Sequence, residues 1–530
     1  MNRLTRASYV LLSIMGLWAL AACNSQKKMP ESAQEMASEA EETAPSSAAP
    51  QDLLPGYRIE VAVDSFDQAE AYLAYYYGDK QYLKDTAEVN ANGQFAFAGD
   101  ERLDGGIYLV VLPPENQYFE IIIDQDQHFS LHTTKDDFVG DMQVEGSEEN
   151  KVFYDDIQFL GNMREKAQAL QGEMKEVEKG SAREAELKED LQEINEQVMA
   201  QRSGLADEYP DMLYPKVIAA MQEPEIPPAP TDENGQPLDS LWDFHYYRAH
   251  FFDNLDFGDD RLLRTPVMNQ KVTRYLDKLT VRHPDSLAES IDYIVEKARA
   301  DSNVFQYLTI SLLNKYAKSK IMGFDALYVH MVENYYLTGD AWWVDDSTLM
   351  KMEERARAIS PTLVGRKAPN FRVQDENGNY HMPSGIDAEY TVLYFWDYDC
   401  GHCKTTTPVL AKAVGLYEGY PVKLMTVSIN GAREVWKDKL SQYDLAELPN
   451  AINTHDARRA SGFDAMYDVR STPRLFLLDE DKKIMAKQIS VAQLQEILDM
   501  RLGIDRPESE KIKDKDAGKA SEDLDEEAGK

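Results

Sequence analysis

The stretch WDYDCGHCKTTTP, Trp396 to Pro408, holds two of the only three cysteines in a chain of 530 residues. Taken alone, Cys-x-x-Cys fits a redox centre, half of a metal site or a structural staple. Its flanks narrow the choice. YTVLYFW (Tyr390 to Trp396) is a continuous apolar run, as expected of a strand covered on both faces. The residues that follow read as a helix beginning at or near Cys400. VKLMTVSI then gives a second strand and AREVWKDKLSQY a second helix. PRLFLLDEDKKIMAKQI reads as two strands joined by a polar turn. The last helix carries Leu494, Ile497, Leu498 and Leu502 on one face. The order βαβαββα implies a mixed sheet with helices on both faces.

Working outward, the chain is too long for one hydrophobic core, so about three domains are expected. A formal net charge of −37 disfavours a nucleic-acid partner, because a phosphate backbone would be repelled. The opening MNRLTRASYVLLSIMGLWALAAC has a basic start at Arg3 and Arg6, an apolar run from Tyr9 to Leu20, and small residues before Cys23. That is the pattern of a secretory signal over 1–22, with an apolar core short for a membrane span. Leu20-Ala21-Ala22-Cys23 resembles the lipobox of bacterial lipoproteins, which implies that Cys23 is diacylated and becomes the first mature residue. The resemblance places the protein in the cell envelope, lipid-anchored and periplasm-facing. With Cys23 committed to lipid, Cys400 and Cys403 have no other cysteine to pair with, in a compartment where disulfides persist.

Residues 23–54, rich in Ser, Ala, Glu and Pro, read as a flexible tether. From 55 to 146 short β-branched and aromatic runs (RIEVAV, EAYLAYYY, GQFAFAG, GIYLVVL, YFEIIID) are separated by turn residues, which predicts an all-β, sandwich-like accessory domain. The tyrosines Tyr72 and Tyr75 to Tyr77 are expected to pack across strands. A helical accessory domain is expected over 147–360. Met163, Ala167, Leu170, Met174 and Val177 form one apolar seam, and Leu187, Leu191, Ile194 and Val198 another. The break at Gly180-Ser181 suggests an antiparallel helical hairpin. The proline-rich EPEIPPAPTDENGQP cannot continue a helix. Residues 361–503 hold the mixed α/β pattern, and the charged tail 504–530 is expected to be disordered.

The α/β region resembles the thioredoxin fold. The resemblance rests on Trp396, on Cys400-Gly401-His402-Cys403, on Pro408 within the next helix, and on Thr472-Pro473 before a strand. GRKAPNF (Gly365 to Phe371) and the long segment between Cys403 and Pro473 are similar to the TlpA/ResA-like branch of membrane-tethered thiol-disulfide oxidoreductases. The resemblance covers about the last quarter of the chain. It implies a redox-active disulfide between Cys400 and Cys403 with no other cofactor. It also implies thiol- or disulfide-bearing envelope proteins as partners, with an upstream electron donor. A helix N-terminus favours the thiolate of Cys400 as attacking group, and Cys403, one turn on, is placed to resolve a mixed disulfide. His402 adds a group that hydrogen-bonds a thiolate, whereas a carboxylate of Asp397 or Asp399 about 6 Å away would cost it on the order of 0.7 kcal/mol. Pro473 corresponds to the family's cis-proline, which turns Thr472 outward to pair with a substrate strand. Gly401-His402 resembles the dipeptide of protein disulfide isomerase, an oxidant, while the tethered branch implies a reducing role. One position departs from thioredoxin: its buried acid, two residues before the tryptophan, is Tyr394 here. A tyrosine is a poor base at neutral pH.

Other chemistries fit less well. A zinc site needs four ligands, and no second pair has zinc spacing beside these thiols. A thiol peroxidase would need Pro and Thr where Leu393 and Asp397 stand. A staple closing so short a loop removes little chain entropy. The non-enzymatic alternative is an envelope binding or scaffold lipoprotein whose redox module is accessory, since the upstream regions carry no catalytic motif.

Overall fold

The computed structural model describes residues 55–513. The signal segment 1–22, the lipid site Cys23, almost all of the tether and residues 514–530 lie outside the described residues. The chain divides into two compact units, Met1–Arg282 with Ser290–Tyr307, and His283–Glu289 with Leu308–Lys530.

The first unit opens with eight strands: β1 (Tyr57–Asp64), β2 (Glu70–Tyr77), β3 (Lys80–Glu88), β4 (Gln94–Gly99), β5 (Gly106–Leu112), β6 (Gln117–Ile123), β7 (His128–Thr134) and β8 (Gln143–Glu145). They form two four-stranded sheets, ordered β4-β1-β7-β8 and β3-β2-β5-β6. In β1 the alternation is explicit: Tyr57, Ile59, Val61 and Val63 are buried, while Arg58, Glu60 and Asp64 are exposed. The apolar run of β5 is buried along its whole length between β2 and β6. Tyr75 packs on Tyr82 and Tyr108, and the Tyr76 hydroxyl donates to Glu120, so these tyrosines serve cross-strand packing.

Two long helices follow, α1 (Glu148–Met174) and α2 (Ala182–Glu208), capped by the side chains of Ser147 and Ser181. Asn150 ties α1 to β6 by exchanging hydrogen bonds with the backbone of Ile122 at 2.8 and 2.6 Å. Then come α3 (Leu213–Met221), α4 (Trp242–Ala249), α5 (Val267–Arg274), α6 (Pro284–Ala298), α7 (Ser302–Ala317), α8 (Asp325–Met331) and α9 (Asp346–Ile359). The helical region expected over 147–360 forms, and its helices are shared between the two units. Helices α1 to α5 share a unit with the β-sheets, whereas α8 and α9 belong with the C-terminal module. Side-chain partners give the reason. Tyr154 of α1 donates to the Glu120 carbonyl, and Asp325 at the start of α8 pairs with the buried Lys487 of the C-terminal sheet.

That module comprises β9 (Val373–Asp375), β10 (Tyr380–His381), β11 (Tyr390–Trp396), α10 (Gly401–Gly415), β12 (Val422–Ser428), α11 (Arg433–Gln442), β13 (Ala451–His455), α12 (Phe463–Met466), β14 (Arg474–Leu478), β15 (Ile484–Lys487) and α13 (Val491–Leu502). Its sheet has seven strands, ordered β10-β9-β13-β12-β11-β14-β15, with β11 parallel to β12 and antiparallel to β14. Three strands, β9, β10 and β13, exceed the pattern expected from sequence. They are short, and AINTH lacks an apolar alternation, so pairing with β12 rather than local pattern makes β13 a strand. The helices are also unequally divided between the faces. Val392, Tyr394 and Trp396 pack under α10, α11 and α13, while Leu393 and Phe395 meet Phe371, Phe463 and Tyr467, with only the short α12 on that side.

The tail expected to be disordered from residue 504 is ordered to residue 513. Arg506 makes a bidentate pair with Asp499 at 2.7 Å for both bonds, and Ile512 is buried, its N–H donating to Gln495 at 2.7 Å. A charged segment reads as solvated in sequence, but this one brings a guanidinium to a half-buried carboxylate. No helix among the described residues is long and apolar enough to cross a membrane.

Candidate active site

Strand β11 is the axis of the site. It lies between β12 and β14, and its end delivers Trp396 and Asp397 to the edge where α10 begins. Cys400 is the N-cap residue of α10, with φ −67° and ψ 127°, and no side chain caps the helix there. Its sulfur therefore sits where the first helical N–H groups are unpaired. The Cys400 thiol is half-buried and donates to the Thr472 carbonyl at 3.3 Å. The Thr472–Pro473 peptide bond is cis and immediately precedes β14.

Cys403 is fully buried, and both cysteines are free thiols. Burial pushes the Cys403 thiol up to about 12, opposed by the Asp397 N–H and the Thr472 side chain. The Asp397 amide donates to its sulfur at 3.4 Å. The Asp397 carboxylate is held elsewhere, accepting from Asp399 N at 2.8 Å and from Asn430 Nδ2 at 3.1 Å. His402 lies in the first turn of α10, half-buried, its carbonyl accepting from the Thr405 hydroxyl at 2.9 Å.

Of the residues singled out in the sequence, Cys400, Cys403, His402, Thr472 and Pro473 come together at this edge. Trp396 does not face it. The ring is fully buried and meets Tyr443 edge-on, with centroids 5.7 Å apart, so it packs beneath the motif rather than toward a substrate. Two contributors were not legible in sequence. Thr407 stands one turn beyond Cys403 on the same helix face, and its hydroxyl lies 3.0 Å from that of Tyr394. Gly431 (φ +78°) packs against the Tyr398 hydroxyl, where a Cβ would collide. Among the described residues no cluster of three or more His, Cys, Asp or Glu side chains is placed to hold a metal.

A thiol at a helix N-terminus, a second thiol one turn on and a cis-proline loop beside them, on a sheet of this order, define a thioredoxin-like oxidoreductase. The thioredoxin-like family profile matches residues 387–484. Two further profiles, each described as a domain of unknown function (DUF4369 and DUF5106), match residues 57–153 and 180–360. Among curated proteins, the chain is 27% identical over 126 residues to a thiol-disulfide oxidoreductase ResA of Bacillus cereus, covering 24% of this chain and 69% of the relative. ResA of Bacillus subtilis is 26% identical over 121 residues, 23% and 64% of the two chains. Among solved structures, a domain of a possible thiol-disulfide isomerase from Cytophaga hutchinsonii is 30% identical, covering 27% of this chain and 96% of its own, with a TM-score of 0.25. A thioredoxin-like protein from Bacteroides caccae is 19% identical over 53% of this chain and 98% of its own, with a TM-score of 0.39. These matches support a TlpA/ResA-like thiol-disulfide oxidoreductase module at the C-terminal end of the chain.

Proposed function

We propose that this protein exchanges thiols and disulfides with proteins of the cell envelope through Cys400-Gly401-His402-Cys403, held at the membrane by lipid on Cys23 and facing the periplasm. Cys400 is the attacking sulfur and Cys403 the resolving one. The observation that carries this reading is the asymmetry of the pair. Cys400 is half-buried at a helix N-terminus, against the Thr472 carbonyl, whereas Cys403 is sealed behind it. An outer thiol meets a substrate, and an inner thiol meets only the mixed disulfide that results. An upstream donor returns electrons to the pair after each turnover, so no further cofactor is needed.

The Thr472 backbone beside Cys400 offers a substrate strand a place to pair, which orients the target disulfide toward the sulfur. His402 in the first helical turn supports the Cys400 thiolate. Trapping in cells tests the reading. Cys403→Ser is expected to accumulate mixed disulfides on Cys400 with envelope proteins, and Cys400→Ser none. Absence of any Cys400 adduct, together with failure to accelerate insulin reduction over dithiothreitol alone, would sink it. Metabolic labelling with a palmitate analogue checks Cys23, since Cys23→Ser would lose the label and leave the membrane fraction.

A further inference from the structure

Beneath the pair, where thioredoxin keeps a carboxylate, the described residues place hydroxyls. Tyr394 rises from the centre of β11, and Thr407 comes from α10 four residues after Cys403, on the same face. All three side chains are fully buried, and the two hydroxyl oxygens are 3.0 Å apart. Tyr394 and Cys403 belong to the same buried cluster, and Cys403 is among the groups that act on the phenol. Tyrosine has one hydroxyl proton. With Thr407 donating to the Tyr394 oxygen, that proton is free to point at the Cys403 sulfur. Burial holds the phenol far above its ordinary range, so it stays a neutral donor rather than a base.

We infer that Tyr394, oriented by Thr407, is the hydrogen-bond donor that steadies the Cys403 sulfur as it becomes a thiolate in the resolving step, replacing acid-base assistance with a fixed hydroxyl. The inference rests on the proposed roles of Cys400 and Cys403. In that step Cys403 sulfur bonds to Cys400 sulfur and the bond from Cys400 to the substrate sulfur breaks. The substrate sulfur departs with the electron pair and ends as a thiol carrying the Cys403 proton. The other groups around Cys403 are consistent with a donor cage. The Asp397 N–H and the Thr472 side chain also donate, and Cys400 and Tyr443 face it. The Asp397 carboxylate is occupied by Asn430 and Asp399 N–H, and Asp399 and His402 stand on the outer side of the motif.

A single-turnover measurement decides it. The full chain, reduced and then charged at Cys400 by exchange with the disulfide dithiobis-nitrobenzoate, which loses one coloured thionitrobenzoate, releases the second when Cys403 attacks. Tyr394→Phe keeps the ring and removes the hydroxyl. It is expected to slow release about 3- to 10-fold, the lost thiolate fraction being partly offset by the greater nucleophilicity of a more basic sulfur. The logarithm of the rate should rise with pH without an inflection between about pH 6 and 9 in both proteins, as lines offset from each other. Thr407→Val should show a smaller slowing that Thr407→Ser restores. Release from Tyr394→Phe at the unaltered rate, or an inflection in that window, overturns the donor role. Failure of Cys400 to form the adduct would instead overturn the proposed function, so the two failures are distinct.

Discussion

The Cys400 thiol donates to the Thr472 carbonyl across 72 residues of sequence, at 3.3 Å, while Cys403 three residues on is wholly enclosed. The two sulfurs should therefore react with small electrophiles at very different rates. At about pH 8 an enclosed thiol held near 12 is only ~10⁻⁴ thiolate, before access is considered. Iodoacetamide is expected to modify Cys400 at least ~100-fold faster than Cys403 in the reduced protein. Peptide mass spectrometry of a time course measures both, and equal rates would contradict the asymmetry.

Gly431 has φ +78°, and a Cβ there would collide with the Tyr398 hydroxyl. Gly431→Ala must move a buried tyrosine two residues before Cys400 as well as strain the backbone. A loss of about 2 kcal/mol or more is expected, read as a lower denaturant midpoint. Thiol exchange should also slow, because Tyr398 fixes the chain that enters the motif.

Arg506 holds the segment after α13 by its bidentate pair with Asp499, which also accepts from the Tyr417 hydroxyl at 2.6 Å. Arg506→Ala leaves a half-buried carboxylate without its cation and is expected to cost about 3 kcal/mol. Amide hydrogen exchange should rise through residues 504–513 while the central strands stay protected. Unaltered exchange there would show that Ile512 alone docks the segment.

In the first unit, burial pushes the Glu149 carboxyl up to about 7 from its ordinary 4.5, against hydrogen bonds from the backbone of Tyr214 and Leu213. The folded unit thus holds a proton more tightly than the unfolded chain. Its contribution is fully present below pH 4.5 and is lost as pH rises through 7, a change of roughly 3 kcal/mol. Glu149→Gln keeps an acceptor for the Tyr214 N–H without the charge. It should flatten this dependence and stabilise the unit above neutral pH, measured by chemical denaturation at several pH values.

Much of the site was readable in one dimension. Strand β11, the helix opening at Cys400, the Cys-x-x-Cys spacing and Thr472-Pro473 are local patterns, and hydrophobic periodicity with turn chemistry specifies such patterns directly. Five of the eight strands of the first unit, β1, β2, β4, β5 and β6, were foreshadowed in the same way, because alternation in runs such as RIEVAV reports a half-buried face, whereas β3, β7 and β8 were not. What sequence left open depends on partners distant along the chain. β13 is a strand only because β12 offers an edge, and residues 504–513 are ordered because Asp499 and Gln495 present their side chains to them. The division of the helices follows from which sheet each one meets. Tyr394 was visible in the sequence as the absence of an acid. Its neighbours Thr407 and Cys403 became visible only when β11 and α10 were packed together, because a hydrogen bond is set by position in space and periodicity reports only which face is buried.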